Sequence, residues 1–335
     1  MNFIKSFSII SFFTIISRLA GFVRDITFAT FLGAGITADM FLLAFRIPNL
    51  FRRIYGEGAF HSAFIPMYSE IFKKSGNLKA LRFSAEASSF FLVLIMLTLL
   101  AGEFLIENII ALIAPGFSIE IIERTSYLAK IMFPYLLFIS MSSIFGAILN
   151  ARGYFGMWSF IPIFLNIFMI FSMLLAYYMN KNTELFLAWG VFISGVFQFT
   201  LLALWIYKKE LSYSIKVPKL SKNMKNLLIL MMPSLFAGGI IQINQLVGTY
   251  FASSIEGAIS WLYYADRVAQ LPLGVFAIAM ASALLPILSG HAALGDKVKF
   301  KEKIDRAILI LLILTSISSL GLIILSDLIT EVLFV

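Results

Sequence analysis

Ten ionisable side chains sit inside otherwise apolar stretches of this 335-residue sequence: Arg18, Arg24, Asp25, Asp39, Arg46, Arg52, Arg53, Glu57, Asp266 and Arg267. Six are arginines and four are acids, so full pairing still leaves a cationic excess. A charged side chain at the centre of a bilayer costs about 2.5–3.5 kcal/mol on insertion scales, and such groups therefore face a bundle interior or a watery cavity. A guanidinium keeps its proton when desolvated, and its planar fork of donors matches phosphate oxygens, whereas a buried lysine readily loses its charge. The chemistry to expect is recognition of an anion, and a diphosphate-bearing lipid is a suitable guest.

Helical spacing arranges these groups. Residues seven apart share a face, which stacks Asp39, Arg46 and Arg53 on one side of a helix and Arg18 with Asp25 on one side of another. Arg53 and Glu57, four apart, are placed to pair. Arg52 points elsewhere, away from the acids of its own helix. Pro48 removes a helical donor and disfavours helix at Ile47, so a kink is expected there, with Gly56 and Gly58 adding freedom beyond it. A bent helix beside a cavity suits a gate.

Blander readings stand beside these. Arg53, Arg124 and Lys130 have the positions of side chains that snorkel to an interface. Arg24–Asp25 and Asp266–Arg267 also read as structural ion pairs. His61 reads as a packed or interfacial histidine, or as a proton-coupled one. Gln242, Asn244 and Gln245 suit hydrogen bonds between helices.

The elements that must hold these residues are membrane helices. Hydrophobic side chains make up 60% of the chain and charged ones 13%, with a mean hydropathy of +0.94; soluble domains average about 25% charged. Nine hydrophobic segments are expected, near 6–32, 37–55, 83–113, 121–150, 157–180, 184–207, 226–254, 258–290 and 307–334. They are too long and too uniformly apolar for the strands of a transmembrane barrel. The connections near 71–82, 151–157, 206–226 and 291–306 carry nearly all the loop lysines and arginines, and the alternate loops carry Lys181 alone. The positive-inside rule then puts the N-terminus in the cytoplasm. Those basic loops account for much of the net charge of +8 through attraction to anionic inner-leaflet lipid, so no nucleic-acid partner is expected. The absence of cysteine excludes disulfides and thiolate metal sites, and two histidines leave little scope for a metal cluster. Gly35, Arg46 and Pro66 recur as Gly257, Arg267 and Pro286 with nearly the same spacing, the kind of internal repeat on which transporters are built.

Several motifs in order carry a family resemblance: Ser17-Arg18-Leu19-Ala20-Gly21-Phe22-Val23-Arg24-Asp25, Phe31-Leu32-Gly33-Ala34-Gly35, Ala38-Asp39, Phe45-Arg46-Ile47-Pro48-Asn49-Leu50-Phe51-Arg52-Arg53, Gly56-Glu57-Gly58-Ala59-Phe60, and Tyr263-Tyr264-Ala265-Asp266-Arg267 with Leu271-Pro272 and Gly274. Together they resemble the MurJ/MviN lipid II flippases. The resemblance implies an all-α polytopic exporter fold of two lobes around a central cavity, with residues 1–210 as the N-terminal lobe and 211–335 as part of the C-terminal lobe. It also implies that Arg18, Arg24, Arg52 and Arg267 bind the diphosphate of lipid II. Asp25, Asp39, Arg46, Arg53, Glu57 and Asp266 are then expected to line or gate the cavity. The implied location is the cytoplasmic membrane, the implied partners are lipid II and membrane lipids, and no cofactor is expected. Coupling to membrane potential or to a cation is compatible with such a cycle. The family has fourteen spanning segments, so nine would correspond to part of it. His61-Ser62 departs from the family pattern. The alternatives are an exporter of another polyprenyl-diphosphate-linked glycan or of drugs, and a membrane enzyme acting on a lipid phosphate, although no catalytic arrangement accompanies Asp25, Asp39, Glu57 and His61.

Overall fold

The computed structural model describes residues 3–55, 58–214, 217–293 and 295–334, and all its regular elements there are helical. In chain order they are α1 (Phe3–Leu32), α2 (Ile36–Tyr55), α3 (Ala59–Ser75), α4 (Asn77–Ile113), α5 (Ile119–Met132), α6 (Tyr135–Ala151), α7 (Phe155–Tyr178), α8 (Thr183–Lys208), α9 (Lys222–Ala252) and α10 (Ala258–Pro272). A π-helical turn (Leu273–Ala277), α11 (Ile278–Ala293), α12 (Lys297–Ile324) and α13 (Ser326–Phe334) follow. Helix is the only solution for long apolar runs in hydrocarbon, because every backbone polar group must be satisfied within its own segment.

Local chemistry sets the breaks. The expected 121–150 segment divides into α5 and α6 at Pro134, which has no N–H to donate to the preceding turn. The expected 258–290 segment is interrupted after Pro272 by the π turn, as happens where a helix must absorb a missing hydrogen bond. The turn between α9 and α10 holds Gly257 at φ 82°, a left-handed conformation that favours glycine. Pro48, by contrast, is carried inside α2, which runs as one helix from Ile36 to Tyr55. Between the expected segments 37–55 and 83–113 the chain forms a further helix, α3.

Six of the nine expected spans are met on length and apolarity. Among the described residues, six stretches are long and apolar enough to cross a membrane: Asn77–Ile113, Ile119–Ala151, Phe155–Tyr178, Thr183–Lys208, Lys222–Ala252 and Lys297–Ile324. The other three expected spans correspond to α1, α2 and the divided stretch from α10 to α11. Within α2, Asp39, Arg46, Arg52 and Arg53 crowd into 20 residues, and α1 contains Arg18, Arg24 and Asp25.

The chain packs into two compact units, residues 1–259 and 260–335. In the first, α7 packs between α1 and α8, α8 against α6, α2 against α5, and α3 against α4, α6 and α9. Its core is aromatic: Phe60, Phe64 and Phe83 are fully buried, with Phe64 stacked on Phe60 at 4.9 Å and on Phe83 at 5.2 Å. His61 is packed within this core, its Nε2 2.8 Å from Ser143 Oγ and its ring 5.1 Å from that of Trp158. The opposite faces expose Leu97, Leu100, Phe104, Phe171 and Leu174, which lipid rather than water would solvate. In the second unit α11 packs on α12, and Tyr264 of α10 stacks on Phe334 of α13 at 4.7 Å.

Candidate functional site

The first polar cluster is built where α1 meets α7. Arg24 and Asp25 are neighbours on α1, and the guanidinium turns back on its own helix: Nε and Nη2 both donate to Asp25 Oδ1, at 3.0 and 2.6 Å. Nη1 donates across to Asn166 Oδ1 of α7 at 2.9 Å. Both charged side chains are desolvated, with 13% of Arg24 and 6% of Asp25 exposed. Arg24 and Asp25 are thus an ion pair on α1 that is bonded to α7 through Asn166. Arg18, seven residues earlier, is exposed. It shares no ion pair or hydrogen bond with Asp25 among those described.

The second cluster runs along one face of α2. Asp39 is fully buried, and its Oδ2 accepts a 2.8 Å hydrogen bond from the Gly257 amide at the turn after α9. Arg46, two turns on, donates from Nη1 to the Gln245 carbonyl at 3.2 Å and to the Thr249 hydroxyl, both on α9. The seven-residue spacing is what sets both side chains against the same 245–257 stretch. A third contact lies nearby in sequence, where the Gly116 amide donates to Ser253 Oγ at 3.1 Å. Gly116 approaches so closely that an added Cβ would stand 2.4 Å from the Ser253 carbonyl oxygen. Three contacts therefore tie α2 and the α4–α5 turn to the end of α9.

Arg52 is half-buried, and its Nε donates to Asn49 Oδ1 at 3.0 Å. Arg53 is exposed. Glu57, its expected partner, lies outside the described residues. In the second unit, Asp266 is exposed and accepts from Gln270 Nε2 on its own helix. Arg267 lays its guanidinium over the Tyr263 ring, 4.7 Å from the centroid, a cation–π contact. Of the remaining polar residues, Glu86 accepts from Ser221 Oγ at 2.7 Å, and Arg124 pairs with Glu120 on the surface of α5. No group of three or more metal-ligating side chains occurs among the described residues.

Sequence reasoning missed Asn166 and the Gly116–Ser253 contact. An amide within the apolar run of α7, four residues after Pro162, was the available signal for the first. Nothing in the sequence marked the second.

Comparison with known proteins gives a consistent set of matches. The family described as Lipid II flippase MurJ matches residues 28–335. A probable lipid II flippase MurJ of Rhizobium tropici is 37% identical over 343 residues, covering 100% of this chain and 64% of its own length. Its counterpart in Vibrio cholerae is 38% identical over 345 residues, covering 99% and 65%. The chain thus spans just under two thirds of the length of these relatives. A solved lipid II flippase MurJ in an inward closed conformation superposes with a TM-score of 0.81 at 29% identity, covering 97% of this chain and 67% of that one. An inward-facing multidrug resistance MATE family transporter of the MOP superfamily superposes at 0.70 with 14% identity, covering 92% and 70%. At that identity the shared feature is the fold.

Proposed function

The chain belongs to the lipid II flippase MurJ family, and from that premise we propose that it serves to move lipid II from the inner to the outer leaflet of the cytoplasmic membrane. One observation carries the reading: a desolvated arginine, Arg24, is held in an apolar helix by bonds from two helices. Such a guanidinium is a preorganised partner for a diphosphate. Arg18 and Arg52 add positive charge in the same unit, and in the second unit the corresponding role falls to Arg267. The head group enters from the cytoplasmic side while the polyprenyl tail stays in lipid.

In this scheme the N-terminus is cytoplasmic, residues 1–210 form the N-terminal lobe, and 211–335 contribute part of the other. Asp39 and Arg46 act at the outer end as gating residues. Their bonds to Gly257 and to Thr249 and Gln245 are of the kind that must break and re-form if the two ends open in alternation. A bound ligand drives such a change only through unequal affinity for the two states. Membrane potential or a cation supplies the direction, and no cofactor takes part.

The test is leaflet-resolved lipid II in cells depleted of their own flippase and supplied with this gene in the full length typical of its relatives. Restored outward movement that is lost in Arg24→Ala and in Arg52→Ala supports the reading. Rescue that persists in both variants refutes the cationic-cavity mechanism, and absence of rescue by the parent points to another polyprenyl-linked substrate.

A further inference from the structure

Asn166 lies within α7 and is 6% exposed, a placement that leaves an amide little water and makes its partners decisive. Those partners span two helices. Its Oδ1 accepts from Arg24 Nη1 at 2.9 Å, and its Nδ2 donates to the Ser17 and Pro162 carbonyls, both at 3.3 Å. The network admits one orientation of the amide: flipping it would aim NH2 at a guanidinium and an oxygen at two carbonyls. Gly21 of α1 faces the amide, with its missing Cβ 3.8 Å from Nδ2, so α1 presents bare backbone where Asn166 reaches Ser17.

Asp25 alone cannot fix the guanidinium relative to the rest of the unit, because it sits beside Arg24 on α1 and travels with it. Asn166 supplies a reference from outside that helix. We propose that Asn166 is a positioning residue for anion recognition: it orients the Arg24 guanidinium toward the diphosphate from α7. The proposal rests on the reading of Arg24 as a diphosphate ligand. It extends that reading to a neutral residue whose own chemistry gives no affinity for an anion. Small displacements of such a group are consequential, since recognition by a fork of donors depends on its plane as well as its charge.

The side chain is specific in its demands. Leucine matches its size and removes all three bonds. Aspartate keeps an acceptor for Arg24 but brings a second negative charge to a guanidinium already bonded to Asp25, and it sets an oxygen against two carbonyls.

The experiment is a double-mutant cycle on the full-length protein, purified and folded as judged by its thermal transition. It measures binding of undecaprenyl diphosphate and of undecaprenyl monophosphate to the parent, Asn166→Leu, Asn166→Asp, Arg24→Ala and the Arg24→Ala/Asn166→Leu pair. The expected result is a loss of diphosphate affinity of about tenfold in Asn166→Leu, the effect of one charge-assisted hydrogen bond. Discrimination against the monophosphate should narrow as it does in Arg24→Ala, and the pair should be no weaker than Arg24→Ala alone. A merely structural role would lower the thermal transition without changing that discrimination. If Arg24→Ala weakens binding and the two losses multiply, the positioning role fails while the Arg24 reading stands. If Arg24→Ala changes nothing, both fail. Asn166→Asp keeps an acceptor for Arg24 but neither donor, and it should weaken diphosphate binding as well.

Discussion

Asp39 is the buried charge whose removal has the most directly calculable consequence. Its carboxylate is fully buried and accepts the amide of Gly257 at 2.8 Å. A hydrogen bond to a charged group is worth about 1.5–3 kcal/mol net. If opening of this end of the first unit breaks that bond, Asp39→Ala shifts the opening equilibrium by roughly 10- to 150-fold, at about 1.4 kcal/mol per factor of ten. Asp39→Asn keeps an oxygen of the same shape but loses the charge, and neutral bonds are about half as strong; its shift should be roughly the square root of the alanine effect. The natural absence of cysteine gives a clean assay. Ala258 is 9% exposed and follows Gly257 directly, so Ala258→Cys in purified protein should react with a bulky maleimide at a rate set by opening. Labelling should be slowest when Asp39 is intact, faster in the Asp39→Asn background and fastest in Asp39→Ala, while the circular dichroism stays helical throughout. Equal labelling rates in all three backgrounds would show that the Asp39–Gly257 bond does not hold this end closed.

Three further outcomes follow from other contacts. Gly116→Ala forces a Cβ to within 2.4 Å of the Ser253 carbonyl oxygen and 2.5 Å of the Ser254 Cα, both backbone atoms. It should cost about 1–3 kcal/mol and lower the thermal midpoint, whereas Gly238→Ala in α9 meets nothing within 4 Å and should be neutral or stabilising by up to about 1 kcal/mol. Arg152 stacks 3.7 Å over the Phe72 ring and donates to Tyr68 at 2.9 Å, so Arg152→Lys should destabilise by about 1–2 kcal/mol through loss of the planar fork, measured by chemical denaturation in detergent. At the start of α12, the Lys299 amide bonded to Asp296 holds that carboxyl below its usual range. A depressed native pKa gives stability that is complete above the unfolded value and is lost as pH falls through the native one; amide protection at the first turn of α12, corrected for intrinsic exchange, should therefore be full at neutral pH and fall only in strongly acidic solution.

The membrane class and the special status of α1 and α2 were legible because their evidence is local. A charge in an apolar run is visible without knowing what it touches, and the seven-residue spacing of Asp39 and Arg46 fixes a shared face from helical geometry alone. What those residues bond to was not legible. Asp39 reaches an amide 218 residues away and Arg46 a hydroxyl 203 residues away, and no period within α2 carries that information. Segment bounds followed the same division: long apolar runs were located well, but the break at Pro134 and the π turn after Pro272 depend on how a helix accommodates a missing donor, which hydropathy does not record.

The expected spans that fall short on length and apolarity have a physical content of their own. Length and apolarity identify helices whose whole surface tolerates lipid, and α2 does not meet that standard, carrying four charges in 20 residues. Three of its four charges are accommodated by burial: Asp39 is fully buried, and Arg46 and Arg52 are half-buried and bonded to protein atoms, whereas Arg53, near the helix end, is exposed. A helix can thus carry ionisable groups where other helices cover it. Enclosure by protein is what a charge within hydrocarbon requires, and α2 meets that condition at Asp39, Arg46 and Arg52. Asn166 marks the limit of this rule. An amide in a highly apolar helix barely changes that helix's hydropathy, so its bonds to Arg24 and Ser17 become visible only when α7 is set against α1.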